Sequence, residues 1–183
     1  MKKLILGGFS IILLLAIAYY VYSLYFAERV SPPDVAQYSS KGIDLRIDYS
    51  RPFKKGRLIF GPESEGALQP YGIYWRLGAN EATKFTVSKP VSIKGNRLEA
   101  GSYSMYAIPG ENTWTIGFNN ESDRWGYSEP DYNNDVFRIE ITPQKMSSIV
   151  EQLEILFEAS DVHLTEILIR WDNVELRIPV DEG

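Results

Sequence analysis

Cysteine is absent from the 183-residue chain, and histidine occurs once, at His163. Without thiols there is no disulfide framework, no thiolate zinc or iron–sulfur site, no Cys nucleophile and no lipidated Cys. A single imidazole excludes His-rich metal sites and obliges any Ser–His–Asp triad to use His163. That residue sits between Val162 and Leu164 in a strand-like stretch, and no Gly-x-Ser-x-Gly elbow occurs anywhere. Positive charge is also scarce: from Ser31 onward 16 Lys and Arg face 23 Asp and Glu, a net charge of about −7. An acidic domain lacks the electrostatic footprint that neutralises phosphates, so no nucleic-acid partner is expected.

A long apolar run is present, at the N-terminus. Lys2 and Lys3 precede Leu4–Ala27, which carries no charge. As a helix this run extends about 36 Å, more than the ~30 Å hydrocarbon core of a bilayer. Tyr19, Tyr20, Tyr22, Tyr25 and Phe26 gather at its far end, where amphipathic rings favour the membrane interface. The pattern predicts a cytoplasmic stub over 1–3, a transmembrane anchor over 4–27, a linker over 28–34 and an extracytoplasmic domain over 35–183. Ser31-Pro32-Pro33-Asp34 reads as a stiff, extended spacer. The rival reading is a cleaved signal peptide ending at Ala16-Ile17-Ala18, which would secrete the domain. The lysines place the expected location at the inner membrane with the domain facing the periplasm.

The rest of the chain alternates with period two. Ile43, Leu45, Ile47 and Tyr49 alternate with Asp44, Arg46, Asp48 and Ser50. Trp114, Ile116 and Phe118 share a face, as do Phe137, Ile139 and Ile141, and Leu153, Ile155 and Phe157. Such alternation predicts antiparallel strands with one buried face. Lys41-Gly42, Lys94-Gly95-Asn96, Pro109-Gly110-Glu111-Asn112 and Asp172-Asn173 are turn signals. The last two predict hairpins joining 103–108 to 114–118 and 165–171 to 174–180. One short helix is expected from Thr142-Pro143 through Met146 to Val150. With about nine to eleven short strands, the expected fold is mainly β: an antiparallel β-sandwich or jelly-roll-like single domain after one N-terminal transmembrane helix.

Several blocks carry a family resemblance. They are Tyr49-Ser50-Arg51-Pro52, Lys55-Gly56-Arg57-Leu58-Ile59-Phe60-Gly61, and Tyr74-Trp75-Arg76-Leu77-Gly78-Ala79-Asn80-Glu81-Ala82-Thr83. Gly101-Ser102-Tyr103-Ser104-Met105-Tyr106-Ala107-Ile108-Pro109-Gly110, Trp114-Thr115-Ile116 with Asn119, and Trp125-Gly126 follow. The chain resembles the DUF2911 family, common in Bacteroidetes, over roughly Ser31 to Val180. The resemblance implies an envelope location and a Bacteroidetes-like source. It implies no activity. Many members resemble secreted proteins, so the long anchor is a departure.

The polar and aromatic residues of these blocks are the candidate ligand-binding set: Arg51, Arg57, Trp75, Arg76, Asn80, Glu81, Thr83 and Trp125. Arg51, Lys54, Lys55 and Arg57 form a local basic cluster, and with Arg76 would offer guanidinium forks to a carboxylate, phosphate or acidic sugar. Tyr74, Trp75 and Trp125 would offer a stacking platform. Each also has a structural reading: Arg51 pinning a loop before Pro52, Arg76 bracing Glu81, Trp75 and Trp125 in the core, Asn80 capping a turn. Glu121, Asp123, Glu129, Asp131 and Asp135 are hard oxygen ligands that would suit Ca²⁺, but their spacing matches no EF-hand loop and a solvated surface loop is the favoured reading.

No complete catalytic constellation emerges, and no cofactor or metal is expected; Glu81 is a weak candidate for an acid. The expected function is binding of an anionic or glycan-like ligand, or of an envelope partner protein, by a membrane-held domain. The alternatives are a hydrolase or lyase on envelope glycans or lipids, and an accessory subunit of a membrane complex.

Overall fold

The computed structural model describes residues 11–22 and 29–183. The chain divides into two compact units, Met1–Val30 and Ser31–Gly183. In the first, a helix occupies 11–22 with its side chains exposed. No helix among the described residues is long and apolar enough to cross a membrane. The expected span over 4–27 extends at both ends into residues outside the described ones, as does the stub over 1–3.

The second unit is mainly β. A six-stranded antiparallel sheet runs in the order β1 (Pro33–Ser40), β2 (Ile43–Ser50), β5 (Thr83–Val87), β8 (Gly101–Ile108), β9 (Trp114–Asn119) and β10 (Asp135–Ile141). A four-stranded sheet has the order β11 (Gln144–Glu158), β12 (Thr165–Glu182), β6 (Val91–Ile93) and β7 (Asn96–Leu98). Two residues each from β3 (Phe60–Gly61) and β4 (Gln69–Pro70) pair in parallel within the long segment between β2 and β5. The large sheet keeps chain order from edge to edge. It is a meander, not the paired Greek keys of a jelly roll.

Alternation explains the layers. In β2, Ile43, Leu45, Ile47 and Tyr49 are buried while Asp44 and Arg46 are exposed. These residues join one hydrophobic cluster with Ile155, Ile167, Ile169, Trp171 and Ile178 of the small sheet, so both sheets contribute to a single core. Its centre is aromatic. Phe60 meets Trp114 at 4.7 Å between ring centroids, and Trp75 stacks on Trp171 at 5.8 Å and 25°. Burying each such side chain contributes roughly 1.5–3 kcal/mol, enough to hold the layers without covalent staples. Polar ties add register between the sheets. The Tyr49 hydroxyl accepts the Ile155 N–H at 3.0 Å, and the Tyr38 hydroxyl donates to Leu164 O at 2.7 Å.

The tight turns follow the expected signals. Lys41 and Gly42 both have positive φ, 51° and 72°, the backbone a two-residue hairpin demands between β1 and β2. The hairpin of β8 and β9 forms as expected, with Ile108 opposite Thr115.

Two expectations are corrected. The stretch expected as a helix, 142–150, opens the 15-residue strand β11. Gln144 and Lys145 pair with Glu175 and Val174, so tertiary pairing overrides the local helical pattern. The register then shifts before Val150, and Ser147–Ile149 stand exposed. The second expected hairpin does not form either, because β12 passes through Asp172-Asn173 as one 18-residue strand. Asp172 does take the left-handed conformation that its turn chemistry favours, φ 56°. It makes a bulge instead of a reversal, because β11 runs alongside on both sides of it.

Candidate functional site

The eight candidate residues separate into three groups. Arg51 and Arg57 belong to the segment that follows β2. Arg51 donates from Nε to Leu153 O at 2.8 Å and lies 3.2 Å from Asp34 and 3.6 Å from Glu154, linking β1 to β11. Arg57 donates from Nε to Lys54 O at 2.9 Å and also to Phe53 O, closing its own turn. Lys54 forms an ion pair with Asp172 at 2.6 Å. These cations brace backbone.

Trp75 and Thr83 are buried. Trp75 Nε1 donates to Gly78 O at 3.2 Å and Thr83 Oγ1 donates to Leu77 O at 3.0 Å. Both hold the bend between Tyr74 and β5, where Leu77 has φ 54° and Asn80 φ 61°. A left-handed leucine costs about 1–2 kcal/mol, so the bend exists only because its surroundings enforce it. Gly78 is required there: a Cβ would stand 2.8 Å from Ser50 O.

The remaining four residues, Arg76, Asn80, Glu81 and Trp125, come together. The bend presents Asn80–Ala82 to the loop between β9 and β10. Ala82 N donates to Arg124 O and Gly126 N to Asn80 O, both at 3.1 Å, and Glu81 bridges Trp125 through the backbone. Arg76 Nη1 donates to Asn80 O at 3.0 Å, with its guanidinium 5.8 Å from the Tyr127 ring centroid. Loop and bend touch so closely that a Cβ on Gly126 would fall 2.7 Å from Arg76 Cδ and 2.9 Å from Ala82 N. On this pinned loop Trp125 is 60% exposed and Tyr127 76% exposed.

A tyrosine–arginine layer supports the loop. Tyr74 donates to Gly126 O at 3.1 Å and accepts from Arg124 at 2.9 Å. Tyr74 and Tyr106 lie 5.8 Å apart, Tyr106 and Tyr132 5.6 Å. Tyr106 donates to Asp135 at 2.7 Å, and Asp135 also accepts from Asn119 at 2.7 Å and Arg138 at 2.6 Å. Arg138 stands 4.5 Å over the Tyr132 ring. Burial, reinforced by the hydrogen bond to Asp135, pushes the Tyr106 hydroxyl well above its usual range; burial and Glu129 do the same to Tyr132. Both phenols stay protonated at physiological pH, so they act as donors and not as nucleophiles or bases.

The acidic residues of the loop are taken by protein donors: Glu121 by Asn134, Asp123 by Lys84, Glu129 by Tyr132, and Asp131 by the Asn133 backbone. Among the described residues no group of three or more acids or imidazoles gathers around a metal-sized space. His163 pairs with Asp181 at 2.9 Å. Glu81 is exposed, and it does not line the cavity of about 340 Å³ found between Phe60, Tyr71 and Asp172.

Sequence reasoning missed Tyr127, Arg124, Tyr132 and Arg138, gave Tyr106 no role beyond its family block, and read Asp135 as solvated surface where it accepts from Tyr106, Asn119 and Arg138. The available signal was the pair Trp125 and Tyr127 flanking Gly126 inside a loop otherwise rich in Asn, Ser and acids, where two large rings have no core to enter.

A family model described as a protein of unknown function (DUF2911) matches residues 31–180, and the chain belongs to that family. No curated protein and no solved structure matches it.

Proposed function

We propose that this DUF2911 member is a non-enzymatic glycan-binding domain, held at the outer face of the inner membrane by its apolar N-terminal segment. One observation carries the reading: the Trp125 and Tyr127 rings stand in solvent on a loop that backbone hydrogen bonds hold against Arg76–Ala82. Large exposed rings on a rigid support lose little entropy when a flat partner covers them. Sugar rings present apolar C–H faces to such a platform while their hydroxyls stay wet. Arg76, its guanidinium 5.8 Å from the Tyr127 ring centroid, would meet an acidic substituent of a sugar laid on the rings. The protonated Tyr106 and Tyr132 act as hydrogen-bond donors that hold the loop, and the exposed Glu81 does not line the cavity, an arrangement that favours binding over hydrolysis. The apolar run over 4–27 and its flanking lysines support the membrane tether.

The test is retention of the full chain, in mild detergent, on an array of envelope glycans. The reading expects capture that Trp125→Ala and Tyr127→Ala each reduce about tenfold or more, with the unfolding midpoint unchanged. Capture of no glycan, or capture that survives both substitutions, overturns it. Retention of a protein in place of a sugar would transfer the surface to the partner-protein reading.

A further inference from the structure

A second site lies away from the exposed loop. The cavity of about 340 Å³ takes none of its lining from residues 120–131. Its walls come from separate parts of the chain: Leu58, Phe60 and Tyr71 from the segment between β2 and β5, Glu111 from the β8–β9 turn, Lys145 from β11, and Asp172 from β12. The volume is within the range of small-molecule sites.

Its base is apolar. Phe60 and Val174 separate it from a void too small for water, bordered by Trp75, Trp114 and Trp171. Trp171 Nε1, buried beside that void, has no hydrogen-bond partner among the described residues. Here too the β11–β12 ladder breaks, with Asp172 in a left-handed bulge and Ser147–Ile149 bowed outward. Bulges re-aim side chains and are over-represented beside functional sites.

The rim carries both signs of charge. Asp172 is held by Lys54 at 2.6 Å. Glu111 and Lys145 have neither an ion pair nor a side-chain hydrogen bond among the described residues, and they reach the rim from different elements. A purely anionic ligand meets Glu111 there, and a purely cationic one meets Lys145. Only a ligand with both charges is complementary to the whole rim. We infer that this cavity binds a small zwitterion with an apolar body, the chemistry of a free aromatic or aliphatic α-amino acid, with the side chain over Phe60 and Leu58.

The test is calorimetric titration of the full chain in detergent with L-phenylalanine. N-acetyl-L-phenylalanine, which lacks the cation, and L-phenylalanine amide, which lacks the anion, serve as controls. Saturable binding of the free amino acid is expected, about tenfold tighter than either control. Glu111→Lys and Lys145→Glu should each weaken it about tenfold while leaving the urea midpoint unchanged, because both side chains are exposed. Trp125→Ala should leave it intact, which separates this site from the glycan surface. No saturable binding, equal affinity for a singly charged control, or indifference to both charge reversals would overturn the inference.

Discussion

The two sheets cover their outward faces in opposite ways. On the small sheet, Arg170 and Arg177 interleave with Glu158, Glu166 and Glu175, with contacts of 2.7 Å from Arg177 to Glu175, 2.6 Å to Glu158 and 3.0 Å to Glu166. Burial opposes the charge on Glu175, yet hydrogen bonds from both arginines hold its carboxyl below the usual range. The result is a closed lattice of charge with its donors and acceptors used on one another. The large sheet buries Tyr106 and Asp135 under a loop, and that loop turns Trp125 and Tyr127 outward. A saturated ion network offers a ligand nothing it does not already have, whereas uncovered rings leave apolar surface still to be buried. The contrast teaches that the charges on the small sheet are spent on one another, and within Ser31–Gly183 the proposed glycan surface is the one place where large rings are left uncovered.

Substitutions can break that contrast. The largest effect is expected from Glu175→Ala, which takes the short hydrogen-bond partner from Arg170 and leaves Arg177 to Glu158 and Glu166 alone: a loss of about 2–3 kcal/mol in urea unfolding, with glycan capture unaltered. Gly126→Ala should cost roughly 1–3 kcal/mol, because the new methyl meets Arg76 and the Ala82 backbone. Unlike Glu175→Ala, it should also remove capture, and amide exchange at Gly126 and Ala82 should report the displaced loop.

The pH dependence sharpens the picture between the faces. Glu175 is depressed in the fold, so its contribution is present above the ordinary carboxylate pKa and is lost as acid protonates the folded state. Tyr49, between the sheets, is pushed up to about 12 by burial. Its unfolded form releases the proton first, so stability should fall as pH rises from about 10 to about 12. Across that window the fall in unfolding midpoint should be shallower in Tyr49→Phe, with the remaining slope carried by other raised phenols, Tyr106 and Tyr132 among them. The smallest effect belongs to Arg57→Ala, which removes two exposed bonds to neighbouring backbone: under about 1 kcal/mol, and no change in capture.

Much of the β architecture was legible because period-two burial has no other solution: β2 and the β8–β9 hairpin follow directly from where Ile47, Phe118 and their neighbours must face. The failures share one cause. Asp172-Asn173 and Pro143–Val150 carry local turn and helix preferences, but two long strands pair alongside both stretches and convert them into a bulge and a bowed ladder. Of the candidate site, Arg76, Asn80, Glu81 and Trp125 were brought together because backbone bridges join their two segments. Arg51 and Arg57 were drawn away by carbonyls that no sequence pattern announces, those of Leu153, Lys54 and Phe53.

Tryptophan fluorescence addresses the recognition claim most directly. Of the four tryptophans, Trp75, Trp114 and Trp171 are no more than 2% exposed, so acrylamide should quench Trp125 alone. Adding a captured glycan should shield that quenching in the full chain, and Trp125→Phe should abolish both the quenching and the response. Quenching that persists unchanged under saturating glycan would contradict the account, since the sugar would then be bound where Trp125 is not.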